Sequence, residues 1–250
     1  MSVKPLFCCR QIYIFKISNH ILNQVMENNY FEVISSEFLV KNDAAFRFGS
    51  INDGGYYVNP EKVLEADILF SGGISSNVEF EYDIFQFNKD IKLIMVDPTV
   101  SQIGLLSKAL LRIFFFKNEK LRYLINTLTF ILMLQSGRGW HIKKWLSSKT
   151  GILQCMHEKN VSFKNKKSLL KLDIEGGEYD MLDEIIENIH LFNCMVFEFH
   201  DLDVKHTLLY DFLKKCSTHF DMIHLEVNHC GGFSKYGQPK LLELTLERKI

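Results

Sequence analysis

The chain has 250 residues, 47% hydrophobic and 24% charged, enough apolar material for one large core and one folded unit. A formal charge of -1 supplies no basic face, so no nucleic-acid partner is expected. Six cysteines, Cys8, Cys9, Cys155, Cys194, Cys216 and Cys230, form no C-x-x-C pair. That spacing argues against a zinc ribbon or a disulfide scaffold and points to reduced thiols in a cytoplasmic protein.

The opening "MSVKPLFCCRQIYIFK" is interrupted by Arg10 and Lys16 and does not read as a signal peptide. Residues 10–40 carry apolar positions at helical spacing, and residues 1–45 read as an N-terminal helical extension. In "FRFGSINDGGYYVNP", glycines and a proline mark turns around a short "YYV" strand. From Ala66, "ADILFSGG", "VEFEYDIFQF" and "KLIMVDP" form a strand, helix, strand unit, which predicts a parallel sheet with helices on both faces. The uncharged run Tyr123–Gly137 falls short of the roughly 20 residues a bilayer span needs and reads as a buried helix, so no transmembrane segment is expected. A further strand is needed between residues 101 and 160, where "RIFFF", "TFILML" and "GILQCM" compete. Later strands are expected at "SLLKLDI", "CMVFEFH", "FDMIHLEVN" and "LLELTLE", the last two as an antiparallel hairpin. Helices fill "EYDMLDEIIENI" and "HTLLYDFLKKC". Residues 46–250 thus read as a single α/β domain.

The candidate chemistry sits at strand ends, where open parallel sheets bind ligands. Gly72 and Gly73 let the backbone approach a ligand closely after the first strand of that unit. Asp97 ends the next strand, at about the offset where an acid accepts hydrogen bonds from ribose hydroxyls. "LLKLDIEGGEYDML" gathers Asp173, Glu175, Glu178 and Asp180 after another strand. Strand alternation would point Asp173 and Glu175 the same way, while Glu178 and Asp180 suit the positive end of the following helix. "FEFHD" places Glu198 and His200 on one face. Histidine, ordinarily titrating near neutrality, is the first choice as general base. Arg47, Asp53 and Tyr56 precede the sheet and are candidates to close over an acceptor. Trp140, His141 and Trp145 read first as packing. Asp173, Glu175, Glu198 and His200 could instead hold a divalent ion, which is the less favoured reading, and no metal ligand is assigned.

Together "ILFSGGISSNVEFEYDI", "LIMVDPT" and "LLKLDIEGGEYDML", in this order, resemble the FkbM-type S-adenosylmethionine-dependent methyltransferases over roughly residues 45–100 and 168–200. The resemblance implies a Rossmann-like class I methyltransferase sheet, mostly parallel with a terminal antiparallel hairpin. It matches Gly73 to the family's glycine after the first strand, Phe80 and Glu81 to its phenylalanine-glutamate pair, Asp97 to the acid ending the second strand, and Asp173, Glu175, Gly176 and Glu178 to its acidic motif. Ser75 stands where the family commonly has a second glycine.

The resemblance thus implies S-adenosylmethionine as cofactor; joined to the reading of the strand ends, it assigns Gly72, Gly73, Ser75, Glu81, Asp97 and Asp173 to the cofactor and His200, Asp173 and Glu175 to the reacting atoms. Arg47, Asp53, Tyr56 and Glu198 would face the acceptor, a hydroxyl of a sugar, glycan or related small molecule. The alternatives are a nucleotide-binding oxidoreductase, which lacks its glycine fingerprint here, and a catalytically inactive protein that keeps the fold.

Overall fold

The computed structural model describes residues 29–40, 42, 44–51, 54–101, 120–161 and 167–249. Asp53, "RIFFF", Cys8 and Cys9 lie outside the described residues. After a helix α1 (29–38) comes a hairpin of β1 (Phe46–Gly49) and β2 (Gly55–Val58), then α2 (Pro60–Glu65), β3 (Ile68–Gly72), α3 (Glu79–Phe87) and β4 (Lys92–Val96). The chain continues through α4 (Lys120–Gln135), β5 (Gly139–Ile142), α5 (Ile152–Glu158), β6 (Ser168–Leu172) and α6 (Glu178–Glu187). It closes with β7 (Phe192–Phe199), α7 (Leu202–Cys216), β8 (Phe220–Val227) and β9 (Leu242–Arg248).

Seven strands form one sheet in the order β5-β4-β3-β6-β7-β9-β8. The first five run parallel; β9 inserts antiparallel between β7 and β8. This is a Rossmann-like α/β sheet, mostly parallel with a terminal antiparallel pair, as expected. Every residue of β3, β6 and β7 is buried, as expected for strands with both faces covered. Alternation divides the core. Ile68, Phe70, Leu170 and Leu172 pack on one side of the sheet with α1, α5, α6 and α7, whereas Leu69 and Leu169 pack on the other with α3 and α4.

Two local readings change. The missing strand is "GWHI", Gly139–Ile142, and not one of the three apolar runs. "TFILML" lies in α4, and most of "GILQCM" forms α5. A strand beside β4 at the sheet edge, with only Gly139 and Ile142 buried, needs no continuous apolar run. In α4, Phe130 and Met133 are buried, but Ile125, Leu128 and Leu132 are about half exposed, so the helix buries only one face. Among the described residues, no helix is long and apolar enough to cross a membrane.

The connection order reverses between β3 and β6, and this opens a crevice at their carboxyl ends. Helix α1 belongs to the same packing unit: Tyr30 stacks on His206 and its hydroxyl bonds to the Pro239 carbonyl, while Val40 N donates to Met222 O.

Candidate active site

A cleft of about 260 Å³ lies in that crevice, lined by Gly73, Ser75, Asp97, Thr99, Asp173, Glu175, Trp145 and Leu146 among others. Its floor is the turn after β3. Gly73 has φ +75°, and a Cβ there would lie 1.6 Å from the Asp173 carbonyl oxygen, so only glycine allows this approach of the two strand ends. At Gly72 a side chain would meet Leu146 and Leu172. Ser75 also takes the left-handed region, φ +46°, a conformation that costs a non-glycine residue about 1 kcal/mol.

Asp97 fixes this turn. Its Oδ2 accepts from the amides of Ile74 (3.1 Å) and Ser75 (2.8 Å), and its Oδ1 from the amide (2.7 Å) and hydroxyl (2.6 Å) of Thr99. Burial alone would raise this carboxyl, but the four donors outweigh it and hold it below the usual aspartate value. A ribose hydroxyl at Asp97 would have to share oxygens the chain already uses. From β5, His141 Nε2 lies 3.0 Å from the Asp97 carbonyl oxygen, and burial lowers its pKa. Trp140 packs on the core. Trp145, by contrast, is 69% exposed at the cleft wall.

Beside the cleft lies a buried polar cluster. Lys171 occupies the β6 position whose neighbours alternate as core leucines, and it is 4% exposed. Its Nζ lies 3.4 Å from Asp173 Oδ2 and 4.0 Å from Glu81, and it also donates to the Gly73 carbonyl. Burial disfavours the ammonium, yet Asp173, Glu81 and Glu198 more than offset this and raise its pKa. Lys171 therefore supplies countercharge for Asp173, the one carboxylate of "LLKLDIEGGEYDML" it pairs with, and for Glu81 and Glu198 from elsewhere in the chain. A lysine inside an apolar strand is the one signal in the sequence that marks this position.

Glu81 is 1% exposed, accepts from the Ser71 hydroxyl and does not line the cleft; burial raises its pKa. Tyr56 reaches the centre of the cluster from β2. Its hydroxyl donates to Asp173 Oδ2 at 3.0 Å and lies 3.5 Å from Glu198 Oε2. Burial, then Asp173 and Glu198, keep this phenol protonated.

The strand β6 ends at Leu172, so strand alternation does not relate Asp173 to Glu175. Glu175 instead takes φ +56°, and its side chain is 87% exposed. Its Oε2 still lies 3.5 Å from His200 Nε2. Glu178 begins α6 fully buried, accepts from the Ile174 amide at 2.7 Å and lies 3.2 Å from His200 Nδ1. Its contact with the ring exceeds the simple helix-end role expected for it. Asp180 is exposed.

Burial would lower the His200 pKa, but Glu178, then Asp173 and Glu198, push it up to about 9. Burial together with Asp173 and Glu243 pushes Glu198 up to about 8. Glu243 on β9, absent from the sequence reading, is raised to about 7, first by burial. Arg47 stands at the far side: its Nε donates to the Ser50 carbonyl, Nη1 lies 3.5 Å from Glu226, and the guanidinium lies over the Tyr57 ring. Tyr57 in turn stacks on His224.

No family model and no curated protein matches this sequence. Among solved structures the chain is similar to a fibrillarin/Nop5p complex, at 9% identity over 81% of this chain and 91% of that one, TM-score 0.40. It is also similar to precorrin-6y C5,15-methyltransferase from Geobacter metallireducens, at 7% identity over 76% and 85%, TM-score 0.37. A predicted O-methyltransferase from Agrobacterium tumefaciens matches at 6% identity over 76% and 81%, TM-score 0.36.

The structure brings Tyr56, Asp173, Glu175, Glu198 and His200 together. Gly73, Ser75 and Asp97 join at the adjoining cleft, and Arg47 stays at the edge.

Proposed function

We propose that this chain is an S-adenosylmethionine-dependent O-methyltransferase of the FkbM type, acting on a hydroxyl of a sugar, glycan or related small molecule. Residues 46–250 form its catalytic domain and 1–45 its helical extension, and it works in the cytoplasm. The observation that carries the reading is the junction of two sites at the point where the sheet order reverses. A nucleoside-sized cleft bounded by Gly73, Ser75 and Asp97 shares Asp173 and Glu175 with a carboxylate and histidine cluster.

The residues present fit the cofactor: Gly73 lets the two strand ends close up beneath the cleft, and the lining also offers Leu146, Ile174 and the exposed indole of Trp145. Bound there, S-adenosylmethionine would supply an electrophilic methyl group. Methyl transfer to a hydroxyl is an in-line displacement, so the chain has to orient the acceptor oxygen and accept one proton. Asp173 and Glu175, on the edge shared by cleft and cluster, orient the acceptor. Tyr56 keeps its proton and holds Asp173 beside Glu198. A charged imidazole cannot accept a proton, so His200 acts as base in the free chain only as pH approaches 9. Glu198, raised to about 8, is likewise largely protonated near neutrality and becomes the acceptor as pH rises through about 8, below the range where His200 does.

Calorimetric titration with S-adenosylhomocysteine tests the cofactor and needs no acceptor. Micromolar binding that Asp97→Ala removes is expected, followed by methyl incorporation into a hydroxyl compound in a screen begun with sugars. Saturable binding of a nicotinamide dinucleotide with none of S-adenosylhomocysteine would favour the oxidoreductase alternative. Cofactor binding without turnover on any acceptor class would favour an inactive member of the fold.

A further inference from the structure

Beyond the β6 and β7 strand ends, Asp173, Glu198 and His200 each place one ligand-type atom within 4.8 Å of the other two. Two carboxylates and an imidazole make an oxygen-rich donor set with one nitrogen, suited to ions of the manganese and magnesium kind.

The neighbours hold these groups from behind. Tyr56 and Lys171 both engage Asp173 Oδ2, and among the described residues nothing donates to its Oδ1. Glu198 is oriented by Tyr56 through Oε2, while its Oε1 faces His200 Nε2 at 3.7 Å. On the other side of the ring, His200 Nδ1 meets the fully buried Glu178 carboxylate. A metal-bound imidazole characteristically gives its second N–H to a carboxylate in this way, which fixes the ring and leaves the facing nitrogen for the ion. Glu178 Oε2 is itself buried without a hydrogen-bond partner.

The charge around these groups is compatible with a bound cation. Glu81, Asp173, Glu178, Glu198 and Glu243 are all buried or half-buried. Among the described residues, the bases set against them are Lys171, His200 and, acting on Glu243, Arg47. Excess negative charge in a water-poor site is costly unless protons or a cation balance it.

The geometry points to a divalent-cation site formed by Asp173, Glu198 and His200, with its open positions toward the cleft edge shared by Asp173. An ion there binds the neutral imidazole and releases its proton. A hydroxyl placed on the ion is acidified, and its proton leaves to solvent or to Glu175. Activation of an acceptor hydroxyl rests on the methyltransferase reading; the cation site does not.

The test is titration of the full chain, stripped of metal with a chelator and then freed of it, with Mn²⁺ followed by electron paramagnetic resonance. About one equivalent should bind, with imidazole-nitrogen coupling in the echo-modulation spectrum of the wild-type protein. Glu198→Gln and His200→Gln should each weaken binding about 10- to 100-fold, the second also removing the nitrogen coupling. Melting curves and S-adenosylhomocysteine titrations of the same variants report folding and the cofactor cleft. No saturable Mn²⁺ binding, binding without nitrogen coupling, or equal binding by folded variants would overturn the site. Wild-type protein that binds Mn²⁺ in this way but not S-adenosylhomocysteine would sink the methyltransferase reading and leave the cation site standing.

Discussion

Replacing Lys171 by methionine keeps most of the side-chain volume and removes the charge from the centre of the carboxylate cluster. The ammonium lies 3.4 Å from Asp173 and 4.0 Å from Glu81. At an effective dielectric near 20, each pair is worth about 4–5 kcal/mol of attraction before desolvation. Desolvation of buried Lys171 and Glu81 and of half-buried Asp173 returns much of that, so the intact cluster adds little net stability. Removing one partner is different, because the remaining carboxylates stay buried without their cation, at about 3–5 kcal/mol. For a chain of this size that corresponds to a melting point lower by about 10 °C. Thermal and urea denaturation followed by circular dichroism at pH 7.5 measure it. Lys167→Met is the control: it breaks the exposed Lys167–Glu65 pair and should cost below about 1 kcal/mol. Adding Glu81→Gln to Lys171→Met should recover part of the loss, with a coupling of about 1–3 kcal/mol. A folded Lys171→Met protein within about 1 kcal/mol of wild type, with additive double-variant energies, would refute the reasoning.

Gly73→Ala should weaken S-adenosylhomocysteine binding at least about tenfold, since its Cβ has no space against the Asp173 carbonyl; unchanged calorimetric affinity would contradict this. Asp97 has a lowered folded pKa. Its stabilisation is therefore present above the ordinary aspartate value and lost as pH falls through the folded one. Asp97→Asn should accordingly lower stability at pH 7 while flattening the acid limb, as read from urea midpoints between pH 2 and 7. Trp145→Ala should change stability by less than about 0.5 kcal/mol, as exposed positions do. It should also weaken S-adenosylhomocysteine binding severalfold and abolish most of the ligand-induced change in tryptophan fluorescence. Tyr56→Phe removes the hydroxyl between Asp173 and Glu198 and should destabilise by about 1–3 kcal/mol, measured by the same denaturation.

By itself the sequence determined the alternation of elements and the strand ends that carry the chemistry. Apolar runs at β3, β4, β6 and β7 and the glycines and acids that close them are local signals, because strand periodicity and turn chemistry are written within a few residues. Two kinds of feature needed the tertiary structure. The edge strand Gly139–Ile142 draws its pairing from β4 and lacks a continuous apolar run, so nothing local distinguished it. The electrostatic partnership of Lys171 with Glu81, Asp173 and Glu198 joins residues from α3, the end of β6 and β7. Glu178, read from sequence as a helix-end acid, becomes the partner of His200 only once α6 packs beside β7. Protonation depends on burial and on neighbours far along the chain. Position in the sequence could nominate His200, but only burial and packing beside Glu178, Asp173 and Glu198 decide the charge it carries.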